Sequence, residues 1–105
     1  MQISDAIRRL LTTDPFWSIL DPRTEINRGN CEDFMLAVCK LVPDAEERTT
    51  GPFIGPNGEE IDGPFDHVGH YWIFFDGKHY DAEAPNGVDQ LEKLPIFARA
   101  SACHN

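Results

Sequence analysis

The sequence has few cationic residues and no long apolar run, and both shortages restrict what the protein can bind. Nine Lys and Arg accompany 18 Asp and Glu among 105 residues, so the formal net charge is -9. Such a surface repels phosphate backbones and anionic lipids, which disfavours nucleic-acid and membrane partners. The N-terminal stretch contains no hydrophobic segment long enough for a signal peptide or a membrane span. We therefore expect a cytoplasmic protein.

Motifs for disulfides, metals and nucleotides are scarce as well. Three Cys is an odd number and does not suggest a disulfide framework. Cys31, His67, His70, His79 and Asp81 are zinc ligands by residue type, but the paired spacings of zinc sites, such as CxxC and HExxH, are missing. The glycine-rich segment lacks the Gly-Lys-Ser/Thr ending of a phosphate-binding loop. The sequence predicts neither a metal site nor a cofactor.

The chain length predicts a single domain, residues 1–105. Apolar residues at helical spacing predict a first helix over Ser4–Leu11 and a second that begins at Cys31 and ends before Pro43. The segment Asp44–Asp66 is rich in Gly, Pro and acidic residues and predicts a long surface loop.

The second half of the chain predicts a hairpin. Val68–Phe75 is dense in aromatic and β-branched residues, Asp76-Gly77 favours a two-residue turn, and Lys78–Ala84 returns as the partner strand. A short helix around Asp89–Lys93 and a packed tail follow. Helices that precede a hairpin indicate an α+β fold, in which the second helix packs on a small antiparallel sheet.

Cys31 is the candidate nucleophile. Asn30 is a suitable N-cap residue, which places the Cys31 sulfur at the positive end of the second helix. That position stabilises a thiolate and lowers the pKa of the thiol. The alternative is a small buried Cys at the start of an apolar stripe.

The hairpin supplies a candidate base and acid. A two-residue turn sets Trp72 opposite Asp81 and His70 opposite Glu83, with all four side chains on one face. His70 and Asp81 are then diagonal neighbours, so the carboxylate can orient the imidazole toward a helix-terminal Cys. The alternative is that His70 is a half-exposed strand residue and Asp81 only caps an edge.

His67 competes with His70 as the base. In a regular strand it lies on the opposite face, where its cross-strand neighbour is Asn86, so a Cys31–His67–Asn86 set is an alternative. Gly69 between the two histidines can mark a bulge, which changes the facing of the residues before it.

Two segments carry a family resemblance. GNCEDFMLAVCKL resembles the nucleophile helix of the bacterial transglutaminase-like cysteine proteinases, and HYWIFFDGKHYDAEAP resembles the hairpin of the wider transglutaminase-like and papain-like superfamily. The resemblance implies a minimal papain-like core with Cys31 as nucleophile, His70 as general base and Asp81 as its orienting acid. Trp72 matches the aromatic residue two positions after the base and is a candidate for contact with the substrate.

Two details of the resemblance remain open. DHVGHYWIFFDGKHYDA also resembles the HVGxY hairpin of papain-like cell-wall peptidases, which would make His67 the base. No upstream Gln is in place to complete an oxyanion hole. The backbone N–H of Cys31 supplies one donor, and Asn27 or Asn30 is the candidate for the second.

These observations predict a cysteine-dependent acyl enzyme. It would act on an amide or ester of a protein or peptide substrate, as a protease, amidase or deamidase or by acyl transfer. The alternative is a non-catalytic acidic interaction module, such as a small phage-type inhibitor of a host protein. That hypothesis rests on the net charge and on acidic residues of the predicted loop, among them Glu46, Glu47, Glu59 and Glu60.

Overall fold

The computed structural model of the chain describes residues 2–50, 53–54, 56–61 and 68–103. The described helices are α1 (Ile3–Thr13), α2 (Cys31–Leu41) and α3 (Pro95–Cys103), with short helical turns at Trp17–Ile19, Pro22–Ile26 and Leu91–Lys93. The described strands are β1 (Glu46–Thr49), β2 (Phe53–Ile54), β3 (Glu60–Ile61), β4 (Tyr71–Phe75), β5 (Lys78–Asp81) and β6 (Ala84–Val88). The predicted α+β class is confirmed.

One antiparallel sheet organises the fold. Its strand order is β1-β4-β5-β6, while β2 and β3 form a separate antiparallel pair. The turn between β4 and β5 has positive φ at both Asp76 (50°) and Gly77 (78°), the conformation of the tight hairpin turn that this dipeptide favours. The observed pairs are Phe75 with Lys78, Phe74 with His79 and Ile73 with Tyr80. The predicted register of the hairpin is therefore confirmed from the turn as far as Ile73 and Tyr80.

The hairpin strands are shorter than predicted. β4 begins at Tyr71 rather than at Val68, so His70 lies immediately before the strand. β5 ends at Asp81 because that carboxylate accepts hydrogen bonds from the backbone N–H groups of Glu83 (2.9 Å) and Ala84 (3.0 Å), which close a turn. The chain then returns as β6. The predicted cross-strand pair of His70 with Glu83 does not form.

The prediction of one long loop over Asp44–Asp66 was wrong where Glu46–Thr49 forms β1 and pairs with β4. Glu46, Glu47 and Arg48 are all exposed, so this edge strand has no alternation of apolar and polar residues from which it could be predicted. Its pairing with β4 determines its conformation.

Helices cover the two faces of the sheet. Trp72 and Ile73 are neighbours in β4 and therefore point to opposite faces. Ile73 belongs to the core that α1 and α2 form with residues such as Ile7, Phe34 and Val38. Trp72 packs with Leu94 and Phe97 in a second cluster. The predicted C-terminal tail is thus largely the helix α3, and the predicted helix at Asp89–Lys93 is a single turn, Leu91–Lys93.

Candidate active site

Cys31 is the first residue of α2 and is half-buried at the edge of a cleft. Asn30 occupies the cap position, but its side chain makes no capping bond to the helix. Its amide nitrogen donates instead to the carbonyl oxygen of Glu25 at 3.0 Å. The predicted capping by the Asn30 side chain was therefore wrong, and the amide expected to stabilise an oxyanion is engaged elsewhere.

His70 is held rigidly inside the protein. The residue is 1% exposed, and its backbone N–H donates to the hydroxyl of Thr50 while its carbonyl oxygen accepts from the Thr50 N–H, both at 3.2 Å. The ring of Phe97 meets the imidazole edge-on with centroids 5.6 Å apart, and the ring of Trp72 stacks against it at 6.2 Å. Backbone and ring contacts together fix the orientation of the imidazole.

The two imidazole nitrogens have different environments. Nε2 lies 3.0 Å from Oδ2 of Asp81, in a pair of side chains that are 0% and 2% exposed. Nδ1 is buried and forms no hydrogen bond of normal geometry with any described residue. Because Nε2 faces Asp81, Nδ1 is the nitrogen left to interact with the Cys31 thiol, and each of the two groups shifts the pKa of the other.

The thiol and the imidazole stabilise each other's charged forms. Burial on its own raises the pKa of the Cys31 thiol, but His70 and the backbone N–H groups of Tyr71 and Cys31 bring that pKa below its ordinary value. Burial on its own lowers the pKa of His70, but Asp81 and then Cys31 raise it above the ordinary value. These opposite shifts favour a thiolate–imidazolium pair.

The Asp81 carboxylate has all its acceptor capacity in use. Oδ1 accepts from the backbone N–H groups of Glu83 and Ala84, and Oδ2 accepts from Asn27 Nδ2 (3.3 Å) as well as facing His70. Asn27 Nδ2 also donates to Glu83 at 3.1 Å. Asn27 therefore supports the acid, and the prediction of an oxyanion role for its side chain was wrong.

Glu83 connects this group to α3. Its carboxylate forms two hydrogen bonds with the Arg99 guanidinium, at 3.0 and 2.9 Å. Hydrogen bonds thus run from Arg99 through Glu83 and Asn27 to Asp81. Sequence reasoning missed Arg99 because it lies in the segment predicted as a tail, and no local pattern connects it to the hairpin.

Trp72 does not contact the cleft, contrary to the predicted substrate role. It is 3% exposed, and its Nε1 donates to Nδ1 of His79 at 3.0 Å. Burial, followed by the charge of Arg48, lowers the pKa of His79, which keeps that ring neutral and able to accept the bond. Trp72 packs against the ring of His70 and is shielded from the cleft.

The cleft beside Cys31 has a volume of about 660 Å³. Its cationic lining comes from three segments of the chain, and Glu32 is an acidic residue on its wall. The cationic side chains are Arg23, Arg28 and Arg99. The half-buried thiol therefore opens to a cavity large enough to hold an acyl group or a short peptide segment.

His67, the alternative base, lies outside the described residues. Within the described ranges, no group of three or more His, Cys, Asp or Glu side chains is placed to hold a metal ion. No helix in the described part of the chain is both long enough and apolar enough to cross a bilayer.

No family model, curated protein or solved structure matches this chain.

Proposed function

We propose that this chain is a cysteine-dependent acyl enzyme of the transglutaminase-like or papain-like kind, with Cys31 as nucleophile, His70 as general base and Asp81 as orienting acid. The observation that carries the proposal is the buried imidazole. Its Nε2 pairs with Asp81, and its otherwise unpartnered Nδ1 is left for the thiol. A His without a catalytic role would not need a buried ring nitrogen that lacks a hydrogen-bond partner.

In the proposed first step, the Cys31 thiolate attacks the carbonyl carbon of an amide or ester. The carbonyl π electrons move to oxygen, and the N–H of Cys31 is one donor to the resulting oxyanion. When the tetrahedral intermediate collapses, His70 gives its Nδ1 proton to the leaving amine or alcohol, and an acyl thioester remains on Cys31.

In the proposed second step, water or an amine attacks the thioester. His70 accepts the nucleophile's proton at Nδ1, the carbon–sulfur bond breaks, and Cys31 leaves as thiolate. Water gives the hydrolysis of a protease, amidase or deamidase, and an amine gives acyl transfer. Asp81 holds the imidazole in the tautomer that both steps require.

Chemical labelling of the thiols tests the proposal. Iodoacetamide at pH 7 should alkylate Cys31 faster than Cys39, whose pKa is raised by burial and by Glu47, and peptide mass spectrometry separates the two sites. A chromogenic ester should release about one equivalent of leaving group in a burst and leave the acyl group on Cys31.

Variants complete the test. Cys31→Ala should abolish the burst, and the matched control Cys39→Ala should retain it. His70→Gln should slow alkylation at Cys31 toward the rate at Cys39. Equal alkylation of Cys31 and Cys39 in the wild type, or a burst that survives Cys31→Ala, would show that the proposal is wrong.

The hypothesis of an acidic interaction module rests on charge. Glu46 and Glu47 are exposed on β1, and neither lines the cleft. The Cys31→Ala variant separates the two hypotheses, because an interaction module would keep its biological effect without the thiol.

A further inference from the structure

The cleft beside Cys31 is cationic although the chain as a whole is acidic. Three of the nine Lys and Arg residues line it, in a chain with 18 Asp and Glu. Arg99 is neutralised by its ion pair with Glu83, and Glu32 contributes one negative charge. The remaining cations are Arg23 and Arg28, so the cleft retains a positive charge that opposes the net charge of -9.

Arg23 and Arg28 are free to bind a ligand. Both are exposed, and neither has a side-chain hydrogen bond or ion pair with any residue that the structure describes. Among the causes that lower the pKa of Asp21, the hydrogen bond from the backbone N–H of Thr24 comes first and the charge of Arg23 comes last. In a protein with twice as many acids as bases, two guanidinium groups that lie at one cavity and have no partner among the described residues favour a ligand of opposite charge.

The position of this pair relative to the thiol defines what it can bind. Arg23 lies in the helical turn Pro22–Ile26, Arg28 follows that turn, and Cys31 begins α2 three residues later. All three line the same cavity of about 660 Å³. A ligand held by the guanidinium groups therefore shares the cavity with any group that reacts at the sulfur.

We propose that the substrate carries an anionic oxyacid group, held by Arg23 and Arg28 while its acyl carbon reacts at Cys31. This inference rests on the proposed function for the identity of the reacting group. Carboxylate and phosphate both fit the planar fork of a guanidinium, which donates two parallel hydrogen bonds. The two arginines are specificity residues and take no part in proton transfer.

Two alkylating reagents of nearly equal size test the charge of the cleft. Iodoacetate is anionic and iodoacetamide is neutral, so the ratio of their rates at Cys31 measures the electrostatic preference of the site. The rates are followed by mass spectrometry of the Cys31 peptide. In the wild type we expect the ratio of the iodoacetate rate to the iodoacetamide rate to be higher at Cys31 than at Cys39. We expect added salt to lower the ratio at Cys31.

Paired variants assign the preference to the arginines. The double variant Arg23→Gln, Arg28→Gln should lower the ratio of the iodoacetate rate to the iodoacetamide rate at Cys31 by roughly five- to tenfold. This is the size expected when two unit charges are removed from a cleft filled with solvent. The iodoacetamide rate should change little, which also reports an intact site. The matched control, Arg9→Gln with Lys40→Gln, removes the same charge from positions outside the cleft and should preserve the ratio.

The rate and the ratio separate the two proposals. An unchanged ratio in the cleft variant, or an equal fall in the control, would overturn the anion site. A slow Cys31 whose ratio still depends on Arg23 and Arg28 would overturn the acyl-enzyme function and leave the anion site standing.

Protection experiments identify the anion. Succinate and inorganic phosphate are added separately at constant ionic strength, with neutral succinamide as the control, and the iodoacetamide rate at Cys31 is measured. Protection by succinate alone assigns a carboxylate, and protection by phosphate alone assigns a phosphate. Protection by neither would overturn the proposal even if the rate ratio changed, because a bound anion must obstruct the cleft.

Discussion

Replacement of Asp81 separates its structural role from its proposed chemical role. The carboxylate is 2% exposed and faces four donors: the imidazole of His70, the amide of Asn27 and the backbone N–H groups of Glu83 and Ala84. Asp81→Ala leaves all four without this acceptor, and a buried donor left unpaired costs about 1–3 kcal/mol. A domain of this size has roughly 5–15 kcal/mol of total stability. We therefore expect the Ala variant to be unfolded or close to it.

Asp81→Asn is the informative change because it keeps one oxygen for the two backbone donors. The new amide nitrogen replaces Oδ2 and faces His70 Nε2 and Asn27 Nδ2. Asn27 retains its bond to Glu83, so the free energy of unfolding should fall by about 1–3 kcal/mol, and the variant should remain folded. His70 can accommodate the amide only by accepting at Nε2, which moves its proton to Nδ1 and prevents that nitrogen from taking the thiol proton.

The chemical effect is a rise in the pKa of the Cys31 thiol. The wild-type thiol has a lowered pKa, so its alkylation rate should reach its plateau at a lower pH than that of an ordinary Cys. In Asp81→Asn the alkylation profile should move to higher pH, and the thiolate fraction at neutral pH should fall about tenfold each time the thiol pKa rises by one. Ester turnover should fall by roughly 10³–10⁴-fold.

The assay combines urea unfolding with the pH profile of Cys31 alkylation in the wild type, Asp81→Asn and Asp81→Ala. Asp44→Asn, at an exposed position, is the control for the same chemical change. A folded Asp81→Asn protein with an unchanged alkylation profile would refute the orienting role. A fully stable Asp81→Ala protein would refute the account of the four donors.

Three further predictions address the surroundings of the site. A double-mutant cycle with Glu83→Gln and Arg99→Gln, measured by urea unfolding, should give a coupling energy of about 1 kcal/mol. The two hydrogen bonds of this ion pair strengthen it, but Arg99 is a third exposed and solvent weakens it. Additive effects of the two substitutions would contradict this coupling. Burial lowers the pKa of His79, so the folded state favours the neutral ring. Its contribution to stability should be complete above about pH 6.5 and decline as the pH falls through the folded pKa, and His79→Gln should remove that part of the pH dependence. Gly87→Ala should lower the free energy of unfolding by about 2–4 kcal/mol, measured by thermal or urea unfolding, because φ at this position is +79° and a Cβ would lie 2.7 Å from the Tyr80 ring. Stability close to that of the wild type would contradict this clash.

Local signals explain which parts of the fold could be predicted. Asp76-Gly77 determines the turn, the turn determines the register, and the register places His70 near Asp81. α2 was predictable because its apolar residues recur at helical spacing from Cys31 onward. In each case the information lies within about a dozen consecutive residues, which is the range over which sequence patterns are informative.

The parts that could not be predicted depend on contacts between distant segments. β1 is polar and exposed, and only its pairing with β4 makes it a strand. The side chain of Asn27 was expected to face an oxyanion, but the turn after β5 presents it with the carboxylates of Asp81 and Glu83. The cationic cleft combines Arg23 and Arg28 with a residue of α3, and no spacing in the sequence relates them.

The strength of the proposed chemistry depends on α3, the element that the sequence predicted least well. An exposed ion pair in water contributes about 0–1 kcal/mol, and a bond between His70 and Asp81 on an open hairpin would be of that kind. Phe97 of α3 packs on the imidazole, and Leu94 and Phe97 close the apolar cluster around Trp72. With His70 1% exposed, the same charges interact in a medium of much lower dielectric constant, where they can shift the pKa of a neighbouring thiol. The sequence of the hairpin specifies which groups meet, and the burial supplied by α3 determines how strongly they act on Cys31.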